Sequence, residues 1–200
     1  MMNETYLEIL ALAKTEGILR AKDLKAHGIP HAYLSRMVER GMLERVARGL
    51  YRLPTAPVTE HHSLVESSMR VPHGVICLLS ALAFHRLTTQ LPFEVWVAIE
   101  NKAWAAQEDR LPLRFVRFSG EAFTAGIEYH TIEGIPVKIY SPAKTVADCF
   151  KYRNKIGLDI ALEAMRDGVH KRLFTIDNLW HYADICRVQN VIRPYLEAMV

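Results

Sequence analysis

The spacing of apolar residues predicts two short helices and a hairpin within residues 17–53. A helix over residues 21–27 would turn Leu24 inward. The segment Gly28-Ile29-Pro30 would then end it, because glycine tolerates the turn and proline suits the first position of a new helix. The next helix is predicted over residues 31–39.

This second helix separates an apolar face from a polar one at the 3.6-residue period. Leu34, Met37 and Val38 share the apolar face. The opposite face carries Ala32, Ser35, Arg36, Glu39 and Arg40. Because that face is small at its start and basic further on, it suits a helix that enters the major groove with its N-terminus first.

A short hairpin follows the second helix. Residues 43–46 and 50–53 form its predicted strands, and Ala47-Arg48-Gly49 forms the turn, with an arginine at the tip. Periodic apolar residues over Glu4 to Lys14 predict a further helix that packs behind the other two. This order of elements is that of a winged helix-turn-helix, a DNA-binding fold.

The charge of the chain supports this interpretation locally. Residues 17–53 contain eight Lys or Arg against three Asp or Glu, a net charge of +5, whereas the whole chain carries only +3. Concentrated positive charge is typical of phosphate binding. The side chains predicted to contact DNA are His31, Tyr33, Ser35, Arg36, Arg40, Arg45, Arg48 and Arg52.

Beyond the Pro-containing connector at residues 54–57, the pattern changes to a mixture of helices and strands. We therefore predict an α+β protein with a winged helix-turn-helix domain over residues 1–56. A small mixed α/β domain ending in helices would occupy residues 57–200.

The predicted helices of this second domain are His62–Arg70 and Ile76–Leu87, then several from Ser141 onward, with Thr175 as a helix cap and Pro194 opening a last turn or two. Its predicted strands are Phe93–Glu100 with one buried face, Leu113–Phe118, and a hairpin of Ile127–Ile132 and Ile135–Tyr140 that turns at Glu133-Gly134. Pro136 should place its strand at an edge or mark the strand's start.

Composition points to a cytoplasmic protein. Half of the 200 residues are hydrophobic, enough for a sizeable core. The longest apolar run, Val75 to Phe84, is about half of the roughly 20 residues that a membrane helix needs, and the N-terminus lacks the features of a signal peptide. Cys77, Cys149 and Cys186 are scattered, which is typical of buried thiols in a reducing compartment.

Catalytic motifs are weak, and we expect no enzyme activity, metal or cofactor. Ser141 and Lys144 match S-x-x-K, but the motifs that accompany it in penicillin-binding enzymes are missing, so Ser141 is interpreted as a helix cap. A nuclease would need a carboxylate two positions before the strand lysine Lys138, where Pro136 stands. Histidine spacing fits no zinc motif, since the adjacent pair His61-His62 would diverge on a helix.

Three blocks of sequence resemble one family in order and spacing. They are Arg48-Gly49-Leu50-Tyr51-Arg52-Leu53-Pro54, the stretch Leu79–Thr88 (LSALAFHRLT) and the stretch Ser141–Phe150 (SPAKTVADCF). The chain is similar to AbiEi-like antitoxins of bacterial abortive-infection toxin–antitoxin systems, which are also described as transcriptional regulators. It departs from them at Arg86, where glycine commonly ends the helix that contains the histidine.

The resemblance implies two roles. The N-terminal domain would bind double-stranded DNA at inverted repeats in its own promoter, as a dimer or as cooperating monomers. The C-terminal domain would counter a nucleotidyltransferase-like toxin encoded in the same operon, without a stable complex. Two alternatives stay open: a ligand-responsive winged-helix transcription factor without a toxin partner, and a nucleic-acid-processing enzyme.

Overall fold

A computed structural model describes residues 4–47, 49–55, 59–103 and 111–198. These residues form two compact units. Unit 1 comprises the chain up to Arg70 together with Thr131–Pro136, and unit 2 comprises Val71–His130 and the chain from Val137 onward. The architecture is α+β, as predicted. The boundary between residues 56 and 57, as the limit of an independently folding domain, stays a prediction.

Unit 1 contains every predicted element of the winged helix-turn-helix. Its elements are α1 (Glu4–Glu16), β1 (Ile18–Arg20), α2 (Ala21–Ala26), α3 (Ala32–Glu39), β2 (Glu44–Ala47), β3 (Leu50–Arg52) and α4 (His62–Arg70). Strand β1 was not expected. It pairs antiparallel with β3, which also pairs antiparallel with β2, so the three strands form one small sheet in the order β1-β3-β2.

The core of unit 1 explains why these short elements hold together. Leu24 of α2 and both Leu34 and Met37 of α3 are buried against Ile9 of α1, and Tyr51 of β3 joins them. Burying each such side chain stabilises the fold by about 1.5–3 kcal/mol. The apolar spacing that predicted the helices therefore corresponds to this core.

The segment Thr131–Pro136 completes unit 1. The Glu133 carboxylate accepts hydrogen bonds from the amide and hydroxyl of Thr59, both at 2.9 Å, and lies 2.8 Å from Nδ1 of His62. Gly134 has φ +77°, and a Cβ there would lie 2.3 Å from the carbonyl oxygen of Glu16. Only glycine fits this contact, because any side chain would collide with the backbone of α1.

Unit 2 is built around a five-stranded sheet. Its strands are β4 (Val75–Ile76), β5 (Val95–Glu100), β6 (Leu113–Phe118), β7 (Ile127–Ile132) and β8 (Ile135–Tyr140), in the order β6-β5-β4-β8-β7. The tip of the β7–β8 hairpin belongs to unit 1. Its helices are α5 (Leu78–Phe84), α6 (Glu121–Thr124), α7 (Pro142–Lys151), α8 (Arg153–Ile156), α9 (Leu158–His170), α10 (Ile176–Ile185) and α11 (Gln189–Glu197). Strands β5 and β6 are parallel, as are β4 and β8, whereas β4 and β5 are antiparallel.

Four predictions for unit 2 were wrong in detail. The helix expected over Ile76–Leu87 covers only Leu78–Phe84, because Val75 and Ile76 pair with β5 and β8 instead. Strand β5 begins at Val95 rather than at Phe93, which is 84% exposed. All residues from Val95 to Ile99 are buried, so this strand is covered on both faces. Pro194 lies inside α11 and does not open a helix.

Other local predictions are confirmed. Ser141 caps α7 by accepting a hydrogen bond from the amide of Lys144, and Thr175 caps α10 through a reciprocal pair of bonds with Asn178. Pro136 is the second residue of β8, which therefore starts there but is not an edge strand. Arg86 has φ +56°, a backbone conformation that glycine adopts more readily than other residues.

A buried polar network lies in the core of unit 2. The Lys144 ammonium is 2.5 Å from Oδ2 of Asp148, and neither side chain is exposed. The Cys186 thiol donates a hydrogen bond of 3.2 Å to Oδ1 of Asp148. Lys144 also lies over the rings of Tyr140 and Phe118, at 4.2 and 4.9 Å from their centroids. Burial raises the pKa of Asp148, although the neighbouring ammonium acts in the opposite direction.

Candidate DNA-binding surface

The polar face of α3 is exposed as predicted. Ala32, Ser35, Arg36, Glu39 and Arg40 are exposed, and His31 at the start of the helix is exposed as well. On the opposite face Leu34 and Met37 are fully buried, and Val38 is half-buried. Helix α3 therefore presents Ser35, at its middle, and Arg36, in its last turn, on the outward face, while its other side is fixed in the core.

The hairpin of β2 and β3 has the geometry of a wing. Its register shifts between Arg45 and Ala47, and such a bulge strengthens the local twist. Gly49 in the turn has φ +76°, and its carbonyl accepts a 2.8 Å hydrogen bond from the amide of Ala21, the first residue of α2. This bond fixes one side of the turn to α2. Arg48, the predicted tip contact, lies outside the described residues.

The start of α2, the start of α3 and the wing enclose an open cleft, which we call the basic cleft. Its volume is about 690 Å³. It is lined by Arg20, Ala21, Lys22, His31, Ser35, Arg45, Gly49, Leu50 and Tyr51. The ring of His31 meets that of Tyr51 edge-on, with 6.3 Å between centroids, so the buried tyrosine orients the histidine at the cleft wall. None of the lining residues that the structure describes is acidic.

The structure brings only some of the eight predicted contact residues to the basic cleft: His31, Ser35 and Arg45 line it. Arg36 is exposed on the same helix as Ser35.

The other described candidates have partners inside unit 1. Tyr33 is half-buried and packs edge-on against Tyr6 at 5.6 Å. The Arg40 guanidinium lies 5.4 Å from the centroid of the same Tyr6 ring, although its side chain is exposed. Arg52 is 16% exposed and pairs with Glu44, at 3.0 Å from Nη2 to Oε2. Tyr33 therefore packs within unit 1 and Arg52 forms an ion pair there. Arg40 stays exposed, with its charge over the Tyr6 ring.

Two basic residues that line the cleft were not among the predicted DNA contacts, namely Arg20 and Lys22. Both lie in the basic segment, but the prediction placed the DNA contacts on the second helix and the wing. Arg20 belongs to β1 and stands opposite Leu50 of β3. A signal for β1 exists only in the apolar pair Ile18-Leu19, which is too short to indicate a strand.

Comparison with known protein families gives a match in the N-terminal part of the chain. Residues 8–54 match the family model described as "Transcriptional regulator, AbiEi antitoxin". The resemblance to AbiEi antitoxins is confirmed. The matched segment runs from the first turns of α1 to the end of the wing, so it contains α3 and the whole basic cleft. No curated protein matches the chain.

The family match indicates the general class of function. It identifies the AbiEi-type segment with a transcriptional regulator and antitoxin, a class that generally lacks enzymatic activity. Within the described residues, no group of three or more His, Cys, Asp or Glu side chains is arranged to hold a metal ion. None of the described helices is both long enough and apolar enough to cross a membrane.

Proposed function

We propose that this protein is a cytoplasmic, DNA-binding autorepressor and an antitoxin. The head, which is the winged helix-turn-helix domain over residues 1–56, binds inverted repeats in the promoter of its own operon. Residues 57–200 counter a nucleotidyltransferase-like toxin encoded beside it, without a stable complex and without catalysis by this chain. The observation that carries the proposal is the basic cleft, which lies between α3 and the wing within the segment that matches AbiEi regulators.

The arrangement suits double-stranded DNA for a physical reason. A major groove about 12 Å wide admits one helix. With α3 in the groove, its exposed Ser35 and Arg36 face base edges, and an arginine there can bind guanine with two hydrogen bonds. Arg20 and Lys22 on one side, and Arg45 on the wing, then face the flanking phosphates, which fix the register without reading sequence.

Two heads are required for an inverted repeat, because each half-site takes one. They come from a dimer or from two monomers that cooperate on DNA. Four or five phosphate contacts from each head give a slope of about −4 in log affinity against log salt concentration, and two heads give about twice that.

The test is a salt titration of binding to the operon's own promoter fragment, followed by fluorescence anisotropy. We expect Arg36→Ala to weaken binding about 5- to 150-fold, since a lost bidentate base contact costs about 1–3 kcal/mol. Lys14→Ala is the matched control, because Lys14 is an exposed cation of α1 outside the basic cleft. Binding that hardly responds to salt, or equal effects of the two substitutions, would refute the DNA-binding proposal.

The antitoxin role needs a separate test. Arg36→Ala combined with Arg48→Ala should derepress a promoter reporter yet still rescue growth when the toxin is expressed from an unrelated promoter. The unrelated promoter is needed so that lost repression is not mistaken for lost neutralisation. If the folded and abundant double variant fails to rescue growth, the division of roles between the two parts of the chain is wrong.

A further inference from the structure

Unit 2 contains a second open cleft, which we call the polar cleft. Its volume is about 590 Å³, within the range of small-molecule sites. The residues that matter for its chemistry are Ser119, Gly120, Glu121, Lys151, Asp184 and Arg187.

Three element ends meet at this cleft. Strand β6 ends at Phe118 and leads into the turn Ser119-Gly120, where Gly120 has φ +55°. Lys151 is the last residue of α7, and Arg187 follows the end of α10. Because β6 is parallel to β5, the cleft lies at the carboxyl end of a parallel strand, where α/β sheets commonly bind ligands.

The charged side chains of the cleft are not neutralised by one another. Glu121, Lys151, Asp184 and Arg187 are all exposed, and none forms an ion pair with another residue of the described chain. Because no ion pair joins them within the described residues, the two cations and the two carboxylates remain available to a ligand.

The buried network fixes the walls of this cleft. Asp148 lies three residues before Lys151, and Cys186 lies immediately before Arg187. The hydrogen bond from Cys186 to Asp148 therefore ties α7 to α10 beneath the two cations. Phe118, which precedes Ser119, packs at 5.5 Å against Tyr152 and lies beside the Lys144 ammonium. The cleft is thus preorganised, which reduces the entropy lost on binding.

We propose that the polar cleft binds a small phosphorylated ligand with free hydroxyl groups, of the size of a mononucleotide. Lys151 and Arg187 bind the phosphate, and the Ser119 hydroxyl donates to it. Asp184 and Glu121 accept hydrogen bonds from the ligand's hydroxyls, as carboxylates do with ribose. The proposal does not depend on DNA binding, because the cleft shares no residue with the basic cleft.

The proposal is tested by calorimetry and amide chemical-shift mapping on the full chain. The probes are AMP, ribose 5-phosphate, adenosine and inorganic phosphate. We expect AMP and ribose 5-phosphate to bind and to shift the amides of Ser119 and Gly120, with adenosine and inorganic phosphate at least tenfold weaker.

Variants separate the contributions of the side chains. Arg187 has φ +58°, so Arg187→Gly removes the charge without backbone strain. Arg172→Gly is its matched control, since Arg172 is also exposed, has φ +54° and lies outside the cleft. We expect Arg187→Gly and Lys151→Gln to weaken AMP binding at least tenfold, and Arg172→Gly to leave it unchanged. Asp184→Asn should weaken ribose 5-phosphate but not inorganic phosphate.

Three results would overturn the proposal. They are no binding of AMP or ribose 5-phosphate at millimolar concentration, equal affinity for inorganic phosphate and ribose 5-phosphate, and equal binding by Arg187→Gly and its control. Retained promoter binding alongside any of these results would show that only the cleft proposal had failed.

Discussion

Removing one partner of the Lys144–Asp148 pair should destabilise unit 2 strongly. Lys144→Met leaves a fully buried carboxylate, and among the described residues the Cys186 thiol is its remaining hydrogen-bond donor. Breaking a buried pair in this way costs about 3–5 kcal/mol. Asp148→Asn should cost less, because the ammonium keeps its contacts with the rings of Tyr140 and Phe118. The double variant Lys144→Met/Asp148→Leu buries no charge and should lie within about 2 kcal/mol of the wild type.

The pH dependence gives an independent check. Burial raises the pKa of Asp148, and loss of the ammonium removes an influence that lowers it. A raised pKa in the folded state means that the protonated carboxyl is favoured by folding. Lys144→Met should therefore regain stability as the pH falls from 8 towards 5, and the gain should be complete below the unfolded-state pKa of about 3.9. The double variant should show no such gain.

The assay is urea unfolding of the full chain followed by tryptophan fluorescence. All three tryptophans, Trp96, Trp104 and Trp180, fall within the sequence of unit 2, so this signal reports unit 2 without interference from unit 1. A double-mutant cycle then isolates the coupling between the two side chains. If Lys144→Met loses less than about 1 kcal/mol at pH 8, or if the double variant is as unstable as the single one, the reasoning about this pair is wrong.

Three further predictions concern the two units. Burial raises the pKa of Glu133, but hydrogen bonds from His62 and Thr59 lower it by more, so unit 1 should lose stability as the pH falls below about 4.5. Hydrogen exchange of the Thr59 amide should show this loss, and Glu133→Gln should remove the pH dependence. Gly134→Ala should destabilise unit 1 by more than about 2 kcal/mol, against about 1 kcal/mol for Gly41→Ala, because Gly41 also has a positive φ but nothing within 4 Å of the new methyl group. Near-equal losses in thermal unfolding would contradict the close contact at Gly134. A fragment of residues 71–200 should unfold cooperatively in urea, because the main core of unit 2 lies between Val75 and Leu196. A non-cooperative transition would show that this fragment needs unit 1 in order to fold.

The periodicity of the sequence predicted the elements whose formation depends on a local pattern of apolar residues. The helices and the wing of unit 1 carry an apolar face that is regular enough to predict, and both Ser141 and Thr175 have the side-chain chemistry of helix caps. Strands β1 and β4 were missed because three and two residues cannot show alternation. Their existence depends on partners far along the chain.

The candidate DNA-binding surface was predictable to a similar degree. Ser35 and Arg36 follow from the helix face alone. The basic cleft also needed Arg20 and Lys22, which only the pairing of β1 with β3 brings beside the wing. Arg52 looked equivalent in the sequence to the other arginines predicted to contact DNA, but its position opposite Glu44 makes it half of an ion pair. Charge counting does not distinguish an arginine that binds phosphate from one that binds a neighbouring carboxylate.

The return of the chain to unit 1 at Thr131–Pro136 has a consequence for synthesis in the cell. The ribosome releases residues 1–70 before the segment that accepts hydrogen bonds from Thr59 and packs against Glu16 exists. At roughly 5–20 residues per second, the intervening residues 71–130 delay the start of that segment by about 3–12 s. During this interval a nascent chain carries the basic cleft without the last piece of its unit. Completion of unit 1 is therefore timed by translation of the following part of the gene.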